Sequence, residues 1–195
     1  KIFDKSNKPN MAIIGGSKVS TKISIIEKLV CNFDYLVIGG GMANTFLAAN
    51  NYYLGKSLIE NTLIKKVKKI QKLAIIKKCK IILPKDLIIA KKLKNNTKNY
   101  EMCLINNVKV DYAAYDIGPK SIENIKKLFS KVKTIVWNGP LGAFEYKPFN
   151  KSTKEISNSL AMAKKQYKMT VVIGGGDTIA AIKKVIAPNG CNRIY

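Results

Sequence analysis

The 195-residue chain contains no histidine, a single arginine (Arg193) and only 12 acidic residues against 35 basic ones. Without imidazole, the sequence excludes histidine acid–base catalysis, Ser-His triads and histidine-ligated metal sites. Its four cysteines, Cys31, Cys79, Cys103 and Cys191, lack metal-site spacing, so free thiols in a reducing compartment are the simplest interpretation. No apolar run reaches the ~20 residues that span a bilayer, and we expect no signal peptide. We therefore expect a cytoplasmic protein with no membrane partner.

The formal net charge of +23 is the strongest compositional bias. Such an excess is typical of proteins that bind nucleic acid or anionic surfaces. The charge is almost entirely lysine, however, whereas base edges and phosphates are read mainly by arginine. The lysines are also spread along the chain, as in residues 65–69 (KKVKK), which have the pattern of a solvated helix face. We expect no specific nucleic-acid partner, with a basic nucleic-acid-binding domain as the alternative.

Apolar runs of strand length alternate with longer amphipathic stretches, which predicts βαβ units in an α/β fold with a mainly parallel sheet. Strands are predicted near residues 11–15, 35–39, 80–83, 134–138 and 169–174. Helices are predicted near residues 20–31, 42–50, 60–77, 119–129, 152–166 and 178–186. Segment 86–116 is less regular, with a possible strand at 87–90 and hairpin-like alternation over 100–115.

Three predicted strands end in glycine-rich turns, at residues 13–18 (IIGGSK), 36–41 (LVIGGG) and 171–178 (VVIGGGDT). In an open α/β sheet, ligands bind at the carboxyl ends of the strands. Glycine lets the backbone approach a ligand closely, and a helix N-terminus offers N–H groups and positive charge to phosphate. Three such turns, one followed by an aspartate at a helix start and another by two lysines, predict a phosphate-rich ligand held by a metal and by ammonium groups.

Charged residues follow two of these turns. Lys18 and Lys22 are four apart and would share a face if both lie in the first helical turns, which suits a transferring phosphoryl group. They could equally be solvated surface lysines. Asp177 could hold Mg²⁺ between nucleotide phosphates, with Gly175 and Gly176 donating backbone N–H groups, or it could simply cap a helix.

Other motifs narrow the possibilities. The loop WNGPLGAFE (137–145) closes another strand, and Glu145 in it could accept hydrogen bonds from ribose hydroxyls or be an ordinary surface residue. The sequence GKS at 55–57 is no P-loop, because Asn50 stands where the leading glycine is needed. Residues 39–44 match a dinucleotide fingerprint only to its second glycine, since Asn44 takes the third position, which disfavours a dehydrogenase.

Six motifs occur in a recognisable order: GGSKVSTK (15–22), GGGMANTF (39–46), GKSL (55–58), DIGP (116–119), WNGPLGAFE (137–145) and GGGDT (174–178). Together they closely resemble the C-terminal, nucleotide-binding domain of phosphoglycerate kinases, over residues 9–195. The resemblance implies a Rossmann-like, three-layer αβα fold. It implies that residues 1–10 are the remnant of an interdomain linker and that 11–195 are the domain. On this resemblance we expect a fragment that lacks the N-terminal domain and the extreme C-terminus.

The resemblance also implies a reaction, the reversible transfer of a phosphoryl group between 1,3-bisphosphoglycerate and ADP in glycolysis, by a monomeric enzyme of two domains. The absent N-terminal domain would bind 1,3-bisphosphoglycerate and 3-phosphoglycerate. In this chain Lys22 would steady the moving group, with Lys18 beside it, and Gly176 would donate its N–H to it. Asp177 would bind Mg²⁺ and Thr178 the phosphates of ATP or ADP.

The remaining implied contacts surround the nucleoside. The residues are Asn138 and Gly175 near the phosphates, Pro140 and Glu145 at the ribose, and Gly16, Gly39, Gly40 and Leu58 at the adenine. Ala143 replaces a common valine, and Ala114-Tyr115 replace Gly-Leu found in some members near the base. These departures should alter packing around the base. We expect the fragment alone to be inactive, which leaves a nucleotide-binding module without activity as a further alternative.

Overall fold

The structure, a computed structural model, describes residues 8–185. Its elements are β1 (Asn10–Ile14), α1 (Ile23–Asn32), β2 (Tyr35–Ile38), α2 (Gly41–Ala49), α3 (Ile64–Ile76), β3 (Lys80–Ile82), β4 (Asp86–Ala90), β5 (Tyr100–Leu104), β6 (Ala113–Ile117), α4 (Pro119–Phe129), β7 (Thr134–Asn138), α5 (Lys151–Gln166), β8 (Thr170–Gly174) and α6 (Gly176–Val185). A 3₁₀ turn, Asn61–Leu63, precedes α3. The predicted strands and helices are confirmed, except that α1 begins at Ile23 rather than near 20. The predictions for residues 1–7 and 186–195, Cys191 included, lie outside the described residues.

The main sheet has five parallel strands in the order β3-β2-β1-β7-β8. The chain winds outward from β1 to β3 and then returns to place β7 on the other side of β1. The winding direction therefore reverses between β1 and β7, and this switch point is where open α/β sheets bind ligands. The turns that follow these two strands begin at Gly15 and Gly139.

Two apolar layers cover the sheet. Alternate residues of β1 point to opposite faces. Ala12 and Ile14 pack with the cluster formed by α1, α2 and α3. Met11 and Ile13 pack with the cluster formed by α4, α5 and α6. A strand that is buried on both faces has a nearly continuous apolar sequence, as β1 does. Because helices cover both faces of the sheet, the predicted three-layer αβα class is confirmed.

A smaller antiparallel sheet, β5-β4-β6, forms from the irregular segment. The possible strand at 87–90 is part of β4, and the alternation over 100–115 corresponds to β5 and the start of β6. Leu87 and Ile89 of β4 pack with Leu47 of α2, which fixes this sheet beside the main one. Between residues 8 and 185, no helix is both long and apolar enough to cross a membrane.

Candidate functional site

A cleft of about 860 Å³ lies between the strand ends of the main sheet and the small sheet. One wall comes from the strand-end loops and α6, with the predicted residues Gly16, Lys22, Gly40, Pro140, Glu145 and Asp177. The other comes from the small sheet and neighbouring loops, with Leu58, Leu93, Ala113, Ala114 and Tyr115. The cleft thus has charged groups along one wall and mostly apolar groups along the other.

The floor of the cleft depends on close contact between two glycine turns. Gly40 has a φ of +66°, and a Cβ atom there would lie 2.5 Å from the carbonyl oxygen of Gly16. That oxygen accepts a hydrogen bond from the N–H of Met42 at 3.1 Å. Any side chain at position 40 would force the turns after β1 and β2 apart, which is why glycine is needed there.

Lys22 lies at the switch point of the sheet. Its Nζ donates hydrogen bonds to Gly15 O at 2.9 Å, Asn138 O at 3.3 Å and Asn138 Oδ1 at 2.6 Å. The ammonium group therefore spans the carboxyl ends of β1 and β7. Partial burial lowers the pKa of Lys22 below its usual value, while the negative charge of Asp177 acts in the opposite direction. This arrangement fixes a positive charge on the charged wall.

Asp177 faces the same cleft from the first turn of α6. Its side chain is exposed, and within residues 8–185 its carboxylate accepts no hydrogen bond. It is the second residue of the helix, whereas a capping residue precedes the first. Asp177 is therefore not the N-cap residue of α6, and among residues 8–185 no donor occupies its carboxylate, which could bind a cation.

A metal at this site would have few protein ligands. The described part of the chain contains no group of three or more cysteine, aspartate or glutamate residues able to hold a metal ion. Mg²⁺ usually keeps several waters and binds through one or two carboxylates together with substrate phosphates. A lone accessible carboxylate at Asp177 fits that donor set and does not fit an all-protein metal cage.

The three phosphate ligands predicted in and after the turn that follows β8 differ in exposure. Gly175 and Gly176 are exposed, and among residues 8–185 no atom outside its own helical turn lies within 4 Å of the Cβ position of Gly176. Asn138 lies beside Gly175 as well as Lys22. Thr178, in contrast, is fully buried, and its Oγ1 accepts a hydrogen bond from Gly139 N–H at 2.5 Å. The predicted contact between Thr178 and phosphate is not supported by this geometry.

Two further predicted residues, Lys18 and Gly39, do not line the cleft. Because α1 begins at Ile23, Lys18 precedes the helix, so Lys18 and Lys22 do not share a helical face. Lys18 is exposed and is not among the residues that line the cleft. Gly39 is buried against Leu141 instead of lining the cleft, since a Cβ atom there would lie 2.4 Å from Leu141 Cδ2. Its role is to let β2 pack against the loop after β7.

Sequence reasoning missed several lining residues. They are Ser17, Thr21, Gly41, Asn44, Lys56, Leu93, Ala113, Gly142, Phe144 and Tyr146. Leu93 belongs to the irregular loop between β4 and β5, where no periodicity distinguishes one apolar residue from another. Ala114, Tyr115 and Ala143, noted as departures from the phosphoglycerate kinase pattern, do line the cleft. That resemblance was therefore the one signal that pointed to the apolar wall.

The amino-acid sequence is similar to known proteins over almost its whole length. The family model described as phosphoglycerate kinase matches residues 1–194. Phosphoglycerate kinase from Agrobacterium fabrum is 46% identical over 175 residues, which are 90% of this chain and 44% of that protein. The enzyme from Zymomonas mobilis is 44% identical over 178 residues, which are 91% of this chain and 45% of that protein. The chain spans under half the length of these relatives.

Solved structures show the same fold. The structure of phosphoglycerate kinase from Coxiella burnetii aligns with a TM-score of 0.90 at 36% identity, over 99% of this chain and 48% of that one. The structure from Pyrococcus horikoshii aligns with a TM-score of 0.67 at 20% identity, over 99% of this chain and 54% of that one. The second similarity concerns the fold alone.

Proposed function

Because the chain belongs to the phosphoglycerate kinase family, we propose that residues 11–195 form the nucleotide-binding half of such an enzyme. On this proposal residues 1–10 are the linker to the other half. The reaction is the reversible transfer of a phosphoryl group between 1,3-bisphosphoglycerate and ADP, which gives 3-phosphoglycerate and ATP. The supporting observation is the cleft at the switch point, where a fixed ammonium group, a free carboxylate and an apolar wall face one space.

The apolar wall would hold the base. Leu58 and Leu93 are partly exposed at the cleft, and Tyr115 lies near them on β6. Adenine binds in apolar slots because the two faces of the base are weakly hydrated, and removing them from water costs little free energy. Glu145 and Pro140, which lie on the opposite loop, would contact the ribose. This arrangement leaves the phosphates at the Lys22 end, where the charge complements them.

Phosphoryl transfer depends mainly on positioning and electrostatic stabilisation. Lys22 would place positive charge where negative charge spreads over the moving group, after exchanging one of its present oxygen partners. The N–H groups of Gly175 and Gly176 would add donors. Asp177 would hold Mg²⁺, which when bound would supply positive charge to neutralise the nucleotide phosphates.

The remaining expectations belong to the same proposal. The phosphoglycerate substrates would bind mainly to the other half of the enzyme, and the whole enzyme would act as a cytoplasmic monomer. Residues 11–195 alone would bind nucleotide but would be inactive. The family match favours this function over the basic nucleic-acid-binding alternative.

Calorimetry of ADP binding tests the proposal. We expect Asp177→Asn to weaken the binding of MgADP by roughly tenfold or more, as for loss of a charged ligand, and to leave metal-free ADP nearly unaffected. Glu123→Gln, on an exposed position of α4, is the control that removes the same charge elsewhere. Equal losses with and without Mg²⁺ would contradict the metal role, and no binding of ADP by the unmodified chain would contradict the function.

A further inference from the structure

The small sheet carries two buried aspartates that bind helix N-termini in the same way. Asp86 of β4 accepts hydrogen bonds from Lys120 N–H at 2.9 Å, Ser121 N–H at 2.8 Å and Ser121 Oγ at 2.5 Å, all at the start of α4. Gly118 packs directly on this carboxylate. None of these four residues lines the cleft. This site therefore ties the sheet to α4 and has no contact with the proposed nucleotide.

Asp116 of β6 repeats the arrangement at the start of α5. Its Oδ2 accepts a hydrogen bond from Ser152 N–H at 3.1 Å, and its Oδ1 accepts one from Ile117 N–H at 2.9 Å and another from the Ser152 hydroxyl. Asp116 and Ser152 are buried. Gly142 packs on this carboxylate, since a Cβ atom at position 142 would lie 2.2 Å from Asp116 Oδ1.

The second site differs from the first because its glycine, Gly142, lines the cleft, whereas Gly118 does not. Gly142 and Ala143 line the cleft, as does Tyr115, the neighbour of Asp116. Ala143 N–H donates to Tyr115 O at 2.8 Å, and the rings of Tyr115 and Phe149 lie 5.1 Å apart. The end of β6 and loop 142–149 are therefore packed together, and the Asp116 carboxyl group connects them to the start of α5 through Ser152.

We propose that Asp116 is a positioning residue for the nucleoside end of the cleft, where its ionised carboxylate holds loop 142–145 in the conformation that binds adenosine. The inference rests on the proposed function, because it requires an adenine nucleotide in the cleft. Asp116 acts through Gly142 and Ala143 and does not touch the ligand. Loss of its negative charge weakens the hydrogen bonds to Ser152, because a carboxylate accepts more strongly than a carboxylic acid. The wall then loosens.

The surroundings of Asp116 make its charge sensitive to pH. Complete burial raises the pKa of Asp116 to about 7, hydrogen bonds from Ser152 and Ile117 oppose the rise, and the negative charge of Glu155 adds to it. Glu155 lies on α5 and pairs with Lys126 of α4 at 3.3 Å and with Lys151 at 3.8 Å.

Uncharged groups face Asp116 on its other sides. Its partner on β4 is the apolar Ile88, and loop 142–149 presents Gly142 and the carbonyl of Phe149. The carboxyl group therefore changes charge between about pH 6 and pH 8, around the pKa of about 7. Affinity for the nucleoside should fall as the pH falls through this range.

The test compares matched variants of the two aspartate sites, with adenosine as the probe because it has no phosphate and no group that titrates between about pH 6 and 8. At pH 8, Asp116→Asn should weaken adenosine binding roughly 3- to 30-fold, the range found for residues that act through others. Asp86→Asn, which breaks the equivalent contact away from the cleft, should change it less than about twofold. Ser152→Ala and Ser121→Ala form a second pair of milder substitutions, and we expect Ser152→Ala to weaken adenosine binding more than Ser121→Ala.

A pH series separates positioning from loss of stability. Adenosine affinity of the unmodified chain and of Asp86→Asn should fall between pH 8 and pH 6, and that of Asp116→Asn should stay constant. If Asp116→Asn fails to fold, the Ser152→Ala and Ser121→Ala pair and the pH series of the unmodified chain decide the question. If ADP binding persists, equal adenosine affinities within each pair of variants would overturn the inference. A constant adenosine affinity of the unmodified chain between pH 8 and pH 6 would also overturn it. Absence of both adenosine and ADP binding would overturn the proposed function itself.

Discussion

At the residue scale, the side chain of Lys22 is already fixed before any ligand binds. Its ammonium group contacts three backbone or side-chain oxygens at the ends of β1 and β7. Charges that are held in place before the reaction stabilise a transition state at little reorganisation cost. On the proposed function, Lys22 would exchange one of these three contacts for the moving group and keep the others. Lys18 lies five residues before α1, is exposed and is not among the residues that line the cleft. The two lysines look equivalent in the sequence, but only Lys22 lies in the cleft.

Replacing Lys22 should slow phosphoryl transfer more than it weakens nucleotide binding. In a full-length enzyme that contains this chain, we expect Lys22→Ala to lower kcat by on the order of 10²-fold or more, with a smaller change in KM for ADP. Steady-state kinetics measures both values. Lys28→Ala, on the exposed face of α1, is the matched control and should leave them unchanged. A change confined to KM would place Lys22 on the ground-state nucleotide instead.

At the element scale, the late start of α1 has a tertiary cause. Lys22 is the residue before the helix, and its side chain turns back to the strand ends instead of lying along α1. Ser20 N–H donates to Glu60 Oε2 at 3.0 Å, which holds the preceding segment in a non-helical conformation. The local sequence alone favours a helix from residue 20, and these long-range hydrogen bonds override that preference.

The end of β7 is held by Trp137, which is fully buried and donates from Nε1 to Gly139 O at 2.7 Å. Trp137→Phe should lower the free energy of unfolding by about 1–3 kcal/mol for the unpaired carbonyl, in addition to a cavity cost. Urea denaturation followed by circular dichroism measures this loss. Tyr100→Phe, on the exposed edge strand β5, should change stability by less than about 0.5 kcal/mol. Similar losses for both variants would show that Trp137 does not hold this turn.

At the scale of the whole molecule, the order β3-β2-β1-β7-β8 brings the charged wall together from residues far apart in sequence. Lys22 and Asn138 are 116 positions apart and in direct contact. Gly175, Gly176 and Asp177 beside them are exposed to solvent. Water would reach the phosphates of a bound nucleotide here, and catalysis of transfer generally requires that it be excluded.

We therefore expect this chain alone to bind adenine nucleotide with micromolar to millimolar affinity and not to turn over. A coupled assay with 3-phosphoglycerate and MgATP should show no activity above background. We expect the separately produced N-terminal half of a full-length relative to restore only a trace of activity when it is added. The reason is that two unlinked halves lack the effective concentration that a linker provides. The N-terminal half of an unrelated kinase is the control. Clear turnover by the chain alone would refute the two-part site.

The α/β class, most element positions and the placement of Lys22 and Asp177 at one ligand site could be predicted from the amino-acid sequence, and the structure places both residues at the same cleft. Apolar periodicity and glycine turns are local patterns, so they can be read from neighbouring residues. The tertiary structure was needed to show that Lys18 does not line the cleft, that Thr178 is buried and that Asp116 accepts hydrogen bonds from Ser152 at the start of α5. These outcomes depend on which distant segments pack together, and strand order and side-chain packing are properties of the whole fold.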